Sequence, residues 1–108
     1  MKQLVMAIIT LLLLVPQINA RDRHDRTIII ENNTSFRLTY FWVANVGGDY
    51  SPRDLLGRST IRPYSEREVD VEDYSGYCMY NVLAVFEDGE EIFDTINACE
   101  DLYFSVYE

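Results

Sequence analysis

The chain of 108 residues has one lysine, Lys2, and one histidine, His24. It also has only three prolines, five glycines and two cysteines. Each scarcity removes a chemistry. A serine or cysteine nucleophile needs a base beside it, and the one histidine lies in Arg21-Asp22-Arg23-His24-Asp25-Arg26, a charged stretch with no apolar residue. A His/Cys cluster of the kind that holds zinc is missing. There is no Gly-x-Ser-x-Gly element, no P-loop and no dinucleotide fingerprint. Paired carboxylates are plentiful, but glycoside hydrolysis needs them across a deep cleft, which a domain this small rarely forms. The sequence therefore reads as non-enzymatic. Past residue 20 no ten-residue stretch has a helical period, so strands are left to build the fold.

What is present begins with an export signal. Lys2 precedes an apolar run from Leu4 to Val15, Pro16 ends the run, and Ala20 suits the position before a cleavage site. Ile18 is bulkier than the small residue usual two positions earlier. The run is shorter than the roughly 20 apolar residues of a membrane span, so residues 1–20 are expected to be a cleaved signal peptide, with an uncleaved anchor as the alternative. The protein is then secreted or periplasmic, without stable membrane insertion after cleavage. Residues 21–26 are expected to be a disordered lead-in with His24 a solvated tail residue, and residues 27–108 one domain. Past residue 20, eight arginines stand against 18 acids, a net charge near −10. That balance argues against nucleic acid and anionic membranes as partners, and is compatible with cation binding or simply with solubility.

The strands are short and separated by turn signals. Residues 27–31 are β-branched, and Asn32-Asn33-Thr34-Ser35 is a turn in which both asparagines begin an N-x-[ST] triplet. Residues 36–45 alternate, which puts Leu38, Tyr40 and Trp42 in the core and Phe41 and Val43 on the far face. Residues 46–56 form the longest irregular segment. Short strands follow at 58–62 and 66–72, the second with Val69 and Val71 on one face and an all-acidic opposite face, Glu68, Asp70 and Glu72. The last strand, 102–107, turns Leu102, Phe104 and Val106 inward. With the two strands described next, this is an all-β, seven-stranded antiparallel β-sandwich, immunoglobulin-like in size, with a small barrel as the alternative.

Residues 78–99 organise the chain: two apolar runs joined by an acidic turn, with a cysteine at each end. Asp88-Gly89 suits a two-residue hairpin turn, because both tolerate positive φ. Counting outward from that turn pairs Cys78 with Cys99 at a non-hydrogen-bonded position, where Cα atoms approach to about 4.5 Å, within disulfide range. A three-residue turn, Glu87-Asp88-Gly89, would slip the register by one and set Cys78 opposite Ala98. A bridge would then need a second irregularity. Two free buried thiols are the remaining alternative.

Four features carry a family resemblance over roughly residues 28–105. They are Asn33-Thr34 with Leu38-Thr39-Tyr40, Asp54-Leu55-Leu56-Gly57, Cys78-Met79-Tyr80-Asn81, and Asp88-Gly89 followed by Cys99. In their order and spacing the chain resembles a family of small exported bacterial domains of uncharacterised function. Family members usually carry Trp-Gly before the Asp-Leu-Leu-Gly element, where this chain has Ser51-Pro52-Arg53, and often Asp where Asn81 stands. The resemblance implies a disulfide-closed β domain and transfers no catalytic residue.

Two binding chemistries remain. Calcium takes six to eight oxygens, and Asp49 and Asp54 in the long loop are candidates, joined by Asp73 if its turn lies at the same end. The competing expectation is that Asp54 caps a turn while Leu55 and Leu56 close the core. Tyr50, Tyr64, Tyr74 and Tyr77 fall in loops, where rings stack on sugars or anchor a protein partner. The competing expectation there is that they cover the rim of a small core. The functional expectation is an exported binding or structural domain whose partner is a protein or glycan. A carbohydrate-binding module and a calcium-dependent protein-interaction domain are the alternatives.

Overall fold

The computed structural model describes residues 24–108. The expected signal peptide and the first three residues of the lead-in lie outside the described residues. Seven strands follow: β1 (Thr27–Asn33), β2 (Leu38–Asn45), β3 (Arg53–Asp54), β4 (Ser65–Asp70), β5 (Met79–Phe86), β6 (Glu91–Asn97) and β7 (Tyr103–Tyr107). They form a three-stranded sheet in the order β4-β1-β7 and a four-stranded sheet in the order β3-β2-β5-β6. The two sheets face one another across a single core. One side supplies Ile28, Ile30, Val69, Phe104 and Val106, and the other Leu38, Phe41, Val43, Tyr80, Val82 and Ala84. Phe41 and Phe104 meet edge to face across the gap, ring centroids 5.3 Å apart. Fully burying such side chains is worth about 1.5–3 kcal/mol each, and this burial drives the pairing of the sheets.

All pairings are antiparallel except one. β1 and β7 run parallel, with Ile29 opposite Tyr103 and Asn33 opposite Tyr107. A chain made of short strands with local turns gives no sequence signal for that contact, because its two partners are the first and last strands. The strand expected over residues 58–62 is instead a single bridge, Ile61 opposite Leu38. A two-residue strand, β3, forms earlier, within the segment expected to be irregular. Leu102, expected inward, is 56% exposed and precedes β7.

Leu38 is buried as expected, but from Tyr40 onward the inward and outward residues of β2 are the reverse of the expected set. Leu38 pairs with Phe86, but Tyr40 pairs with Val85, so Thr39 is an extra residue on β2. Its hydroxyl donates to the Val85 carbonyl at 2.9 Å. This bulge shifts the alternation by one position. Phe41 and Val43 are buried, while Tyr40 is 46% exposed and Trp42 half-buried on the outer face.

The hairpin takes the three-residue turn. Phe86 N–H donates to the Glu90 carbonyl at 2.9 Å, and Gly89 sits at φ 92°, where a side chain would be strained. Val85 therefore faces Glu91, Met79 faces Asn97, and Ala98 N–H donates to the Cys78 carbonyl. The bridge forms nonetheless, with Cα atoms of Cys78 and Cys99 5.2 Å apart. The second irregularity it needs lies just beyond β6. Glu100 and Asp101 N–H groups both return to the Asn97 carbonyl, at 3.1 and 2.7 Å, and Cys99 N–H donates to Asn97 Oδ1 at 3.1 Å. This tight turn swings Cys99 back toward its partner.

Arg26 departs from the expected disordered lead-in. It is 2% exposed. Its guanidinium donates to the carbonyls of Tyr77 at 2.6 Å and Gly76 at 3.2 Å, and pairs with Glu72 at 3.0 Å. Arginine keeps its charge even when buried, so its burial is tolerated only where the guanidinium is paired and hydrogen-bonded, and here the pairing pins the 72–78 turn to the start of β1.

Candidate functional site

The loops and the outer sheet face offer two surfaces. At one end of the sandwich, the loop after β2 meets the turn after β4 through Asn45, which is buried. Its amide donates to Asp73 Oδ2 at 2.9 Å, and its Oδ1 accepts from Asp49 N–H at 3.3 Å. Asp73 also takes the Tyr80 hydroxyl at 2.8 Å and both the backbone and hydroxyl of Ser75. Burial pushes its carboxyl up, but the hydrogen bonds from Asn45, Ser75 and Tyr80 outweigh that and hold it at about 2. Tyr80 responds in the opposite sense, since burial and its bond to the Asp73 carboxylate push it up to about 12.

Asp73 thus lies at the same end as Asp49, while Asp54 works elsewhere. Its two oxygens accept from the backbone N–H groups of Phe41 at 2.9 Å, Leu56 at 3.2 Å and Gly57 at 3.0 Å. That is a turn cap, with Leu56 buried beneath it. Among the described residues, the grouping with metal-ligand spacing is His24 with Cys78 and Cys99, whose sulfurs are joined to each other. Asp49, Asp54 and Asp73 form no such group.

The loop tyrosines divide between the two ends. Tyr50 and Tyr74 line a groove of about 340 Å³ with Arg53, Glu72 and Asp73. Tyr77 is at the same end, its ring lying over Gly47, where an added Cβ would collide with the tyrosine oxygen. Tyr64 is at the opposite end, before Ser65, which pairs with Asn32. Tyr64 and Tyr74 have φ values of 56° and 63°, uncommon for bulky side chains.

The second surface is the outer face of β2, β5 and β6, which the alternation of the sequence does not reveal. Register puts Trp42 opposite Leu83 and Leu83 opposite Phe93, one continuous row across three strands. Phe93 is 74% exposed. Tyr40 lies two residues along β2 and stacks with Trp42, ring centroids 6.0 Å apart. Trp42, Leu83 and Phe93, with Pro52 from the loop, line an almost wholly apolar depression of about 390 Å³. Beside the row, Thr95 donates its hydroxyl to Asn81 Oδ1 at 2.8 Å. A bulge at Thr39 turns Tyr40 and Trp42 outward, and a threonine gives no local mark of a bulge in the sequence.

A search of protein-family models finds no match to this chain, and a search of curated proteins finds none either. Among solved structures, the chain is similar to a protein from Eubacterium rectale determined by NMR, with 15% identity and a TM-score of 0.49 over 79% of this chain and 77% of that one.

Proposed function

We propose that this chain is an exported, non-catalytic recognition domain that engages its target through the outer face of the four-stranded sheet. The row Trp42–Leu83–Phe93, with Tyr40 beside it, carries the reading. Scattered exposed apolar residues are ordinary, but a contiguous row of large apolar side chains in register, two of them aromatic, is not. Aromatic anchors of this kind dominate recognition energetics because they release much ordered water for little conformational entropy. The Cys78–Cys99 bridge supports export, since such bonds persist in oxidising compartments. The N-terminal apolar run of the sequence agrees with it.

The test is retention of cell-envelope material from the host by the immobilised protein. Phe93→Ser and Leu83→Asn should each lower retention at least about tenfold, as hot-spot truncations do, with circular dichroism unchanged. Equal retention by both variants would defeat the reading. A second reading, a carbohydrate-binding module, draws on the same rings, with the Asn81–Thr95 pair as adjacent polar contacts. Soluble oligosaccharides competing for retention would favour it.

A further inference from the structure

We propose that the occupant of the outer face is a cationic amphipathic polypeptide segment, with lysine or arginine side chains set beside apolar ones. The inference rests on that face being the recognition surface. The charges around it point one way. β2, β5 and β6 contain no basic residue, while Glu91, paired with Val85, shares the outer face with Phe93, and the β5–β6 turn adds Glu87, Asp88 and Glu90. The one basic residue of the four-stranded sheet, Arg53, is engaged elsewhere. Its guanidinium donates to the carbonyls of Val71 at 2.9 Å and Glu72 at 3.3 Å. Nothing within the sheet offsets the acids beside the row, and the chain past residue 20 is acidic overall.

An apolar row with an anionic border suits a partner of the complementary pattern. Apolar side chains fill the depression at Trp42, Leu83 and Phe93, and basic ones reach the carboxylates or lie over the rings. A neutral glycan would gain nothing from the carboxylate field, and the polar pair nearest the row, Asn81 and Thr95, is already bonded to itself. The segment lies across the face and does not add to the edge of β6. Two outward N–H groups of that edge are taken, Thr95 by Asp94 Oδ1 and Asn97 by Asp101 Oδ2, both at 2.8 Å.

Trp42 is the only tryptophan, so its fluorescence reports the face directly. The oxidised, exported protein is titrated with a synthetic peptide of alternating leucine and lysine, with the same peptide carrying glutamate for lysine, and with cello- and chito-oligosaccharides. The lysine peptide should shift Trp42 emission, bind at least about tenfold more weakly to Phe93→Ser, and weaken several-fold in salt or in Glu87→Gln/Glu91→Gln. Lysine and glutamate peptides binding alike, both lost in Phe93→Ser, would overturn the cationic partner and leave the recognition face standing. Oligosaccharides shifting Trp42 while the lysine peptide does not would overturn it in favour of a glycan. Lysine-peptide binding unaltered by Phe93→Ser would reduce it to general charge attraction. No probe perturbing Trp42 would sink both the partner and the face.

Discussion

Asp73 ties together the turn after β4, the end of β2 and the start of β5 by accepting from Asn45, Ser75 and Tyr80. Its carboxyl titrates near 2, below an ordinary value of 3.8, so folding favours its ionised form. That contribution is fully present above about pH 4 and is lost as pH falls through 2. The group is partly exposed, so screening leaves on the order of 1 kcal/mol. The urea midpoint should therefore drop between pH 5 and pH 2 by more in the native chain than in Asp73→Asn. Equal drops would show that the carboxylate is not favoured by folding. Asn32 plays the matching role at the other end. Its buried amide donates to the carbonyls of Phe36, Ile61 and Arg62, and its Oδ1 accepts from Thr34. A side chain so enclosed is no glycan acceptor in the folded state, although it begins an N-x-[ST] triplet.

The hairpin shows how one residue in a turn propagates through an element. The acidic turn takes three residues, so every pair from Val85–Glu91 to Met79–Asn97 lies one step from the two-residue register, and the Asn97–Asp101 turn restores the cysteines to contact. Reducing the bridge, or replacing both cysteines by alanine, should leave β-type circular dichroism and lower the unfolding free energy. Roughly 3 kcal/mol is the upper guide, because the paired strands already restrain the loop. Two thiols titrating in the oxidised protein would contradict the bridge. The pairing of Cys78 with Cys99 was legible because both turns leave the cysteines near one another. The turn length was not, since Asp-Gly serves two- and three-residue turns alike. The same limit applies to β2. Its alternation was plain from Phe36 to Asn45, but the direction it faced depended on whether Thr39 was paired. That is decided by the strand opposite, where the Thr39 hydroxyl donates to the Val85 carbonyl, 46 residues away, while Tyr40 takes the pairing with Val85. Of the cluster at Asp73, the sequence offered only the aspartate, as a calcium candidate on condition that its turn lies at the end of the long loop. Its donors, Asn45 and Tyr80, sat in strands and carried no mark of the role.

At the scale of the whole molecule, acidic residues keep the free edges from pairing with other chains. β4 exposes Glu66, Glu68 and Asp70, and β6 closes two of its own outward N–H groups with aspartates. The apolar row on the outer face is left as the available contact. The parallel pairing of β1 and β7 has a mechanical consequence. Tension applied between the two ends of the chain draws β1 and β7 in opposite directions along their own axes. The hydrogen bonds between Ile29–Asn33 and Tyr103–Tyr107 are then loaded together in shear, and cannot break in succession as in a peeled hairpin. The domain should therefore resist stretching well beyond what its equilibrium stability suggests, because forced rupture follows the unfolding barrier. Once it yields, the Cys78–Cys99 bridge withholds 21 residues of slack from the extending chain. In single-molecule pulling, reduction should lengthen the released contour by roughly 70 Å, at about 3.4 Å per residue, while an equal contour in both states would mean the bridge carries no load.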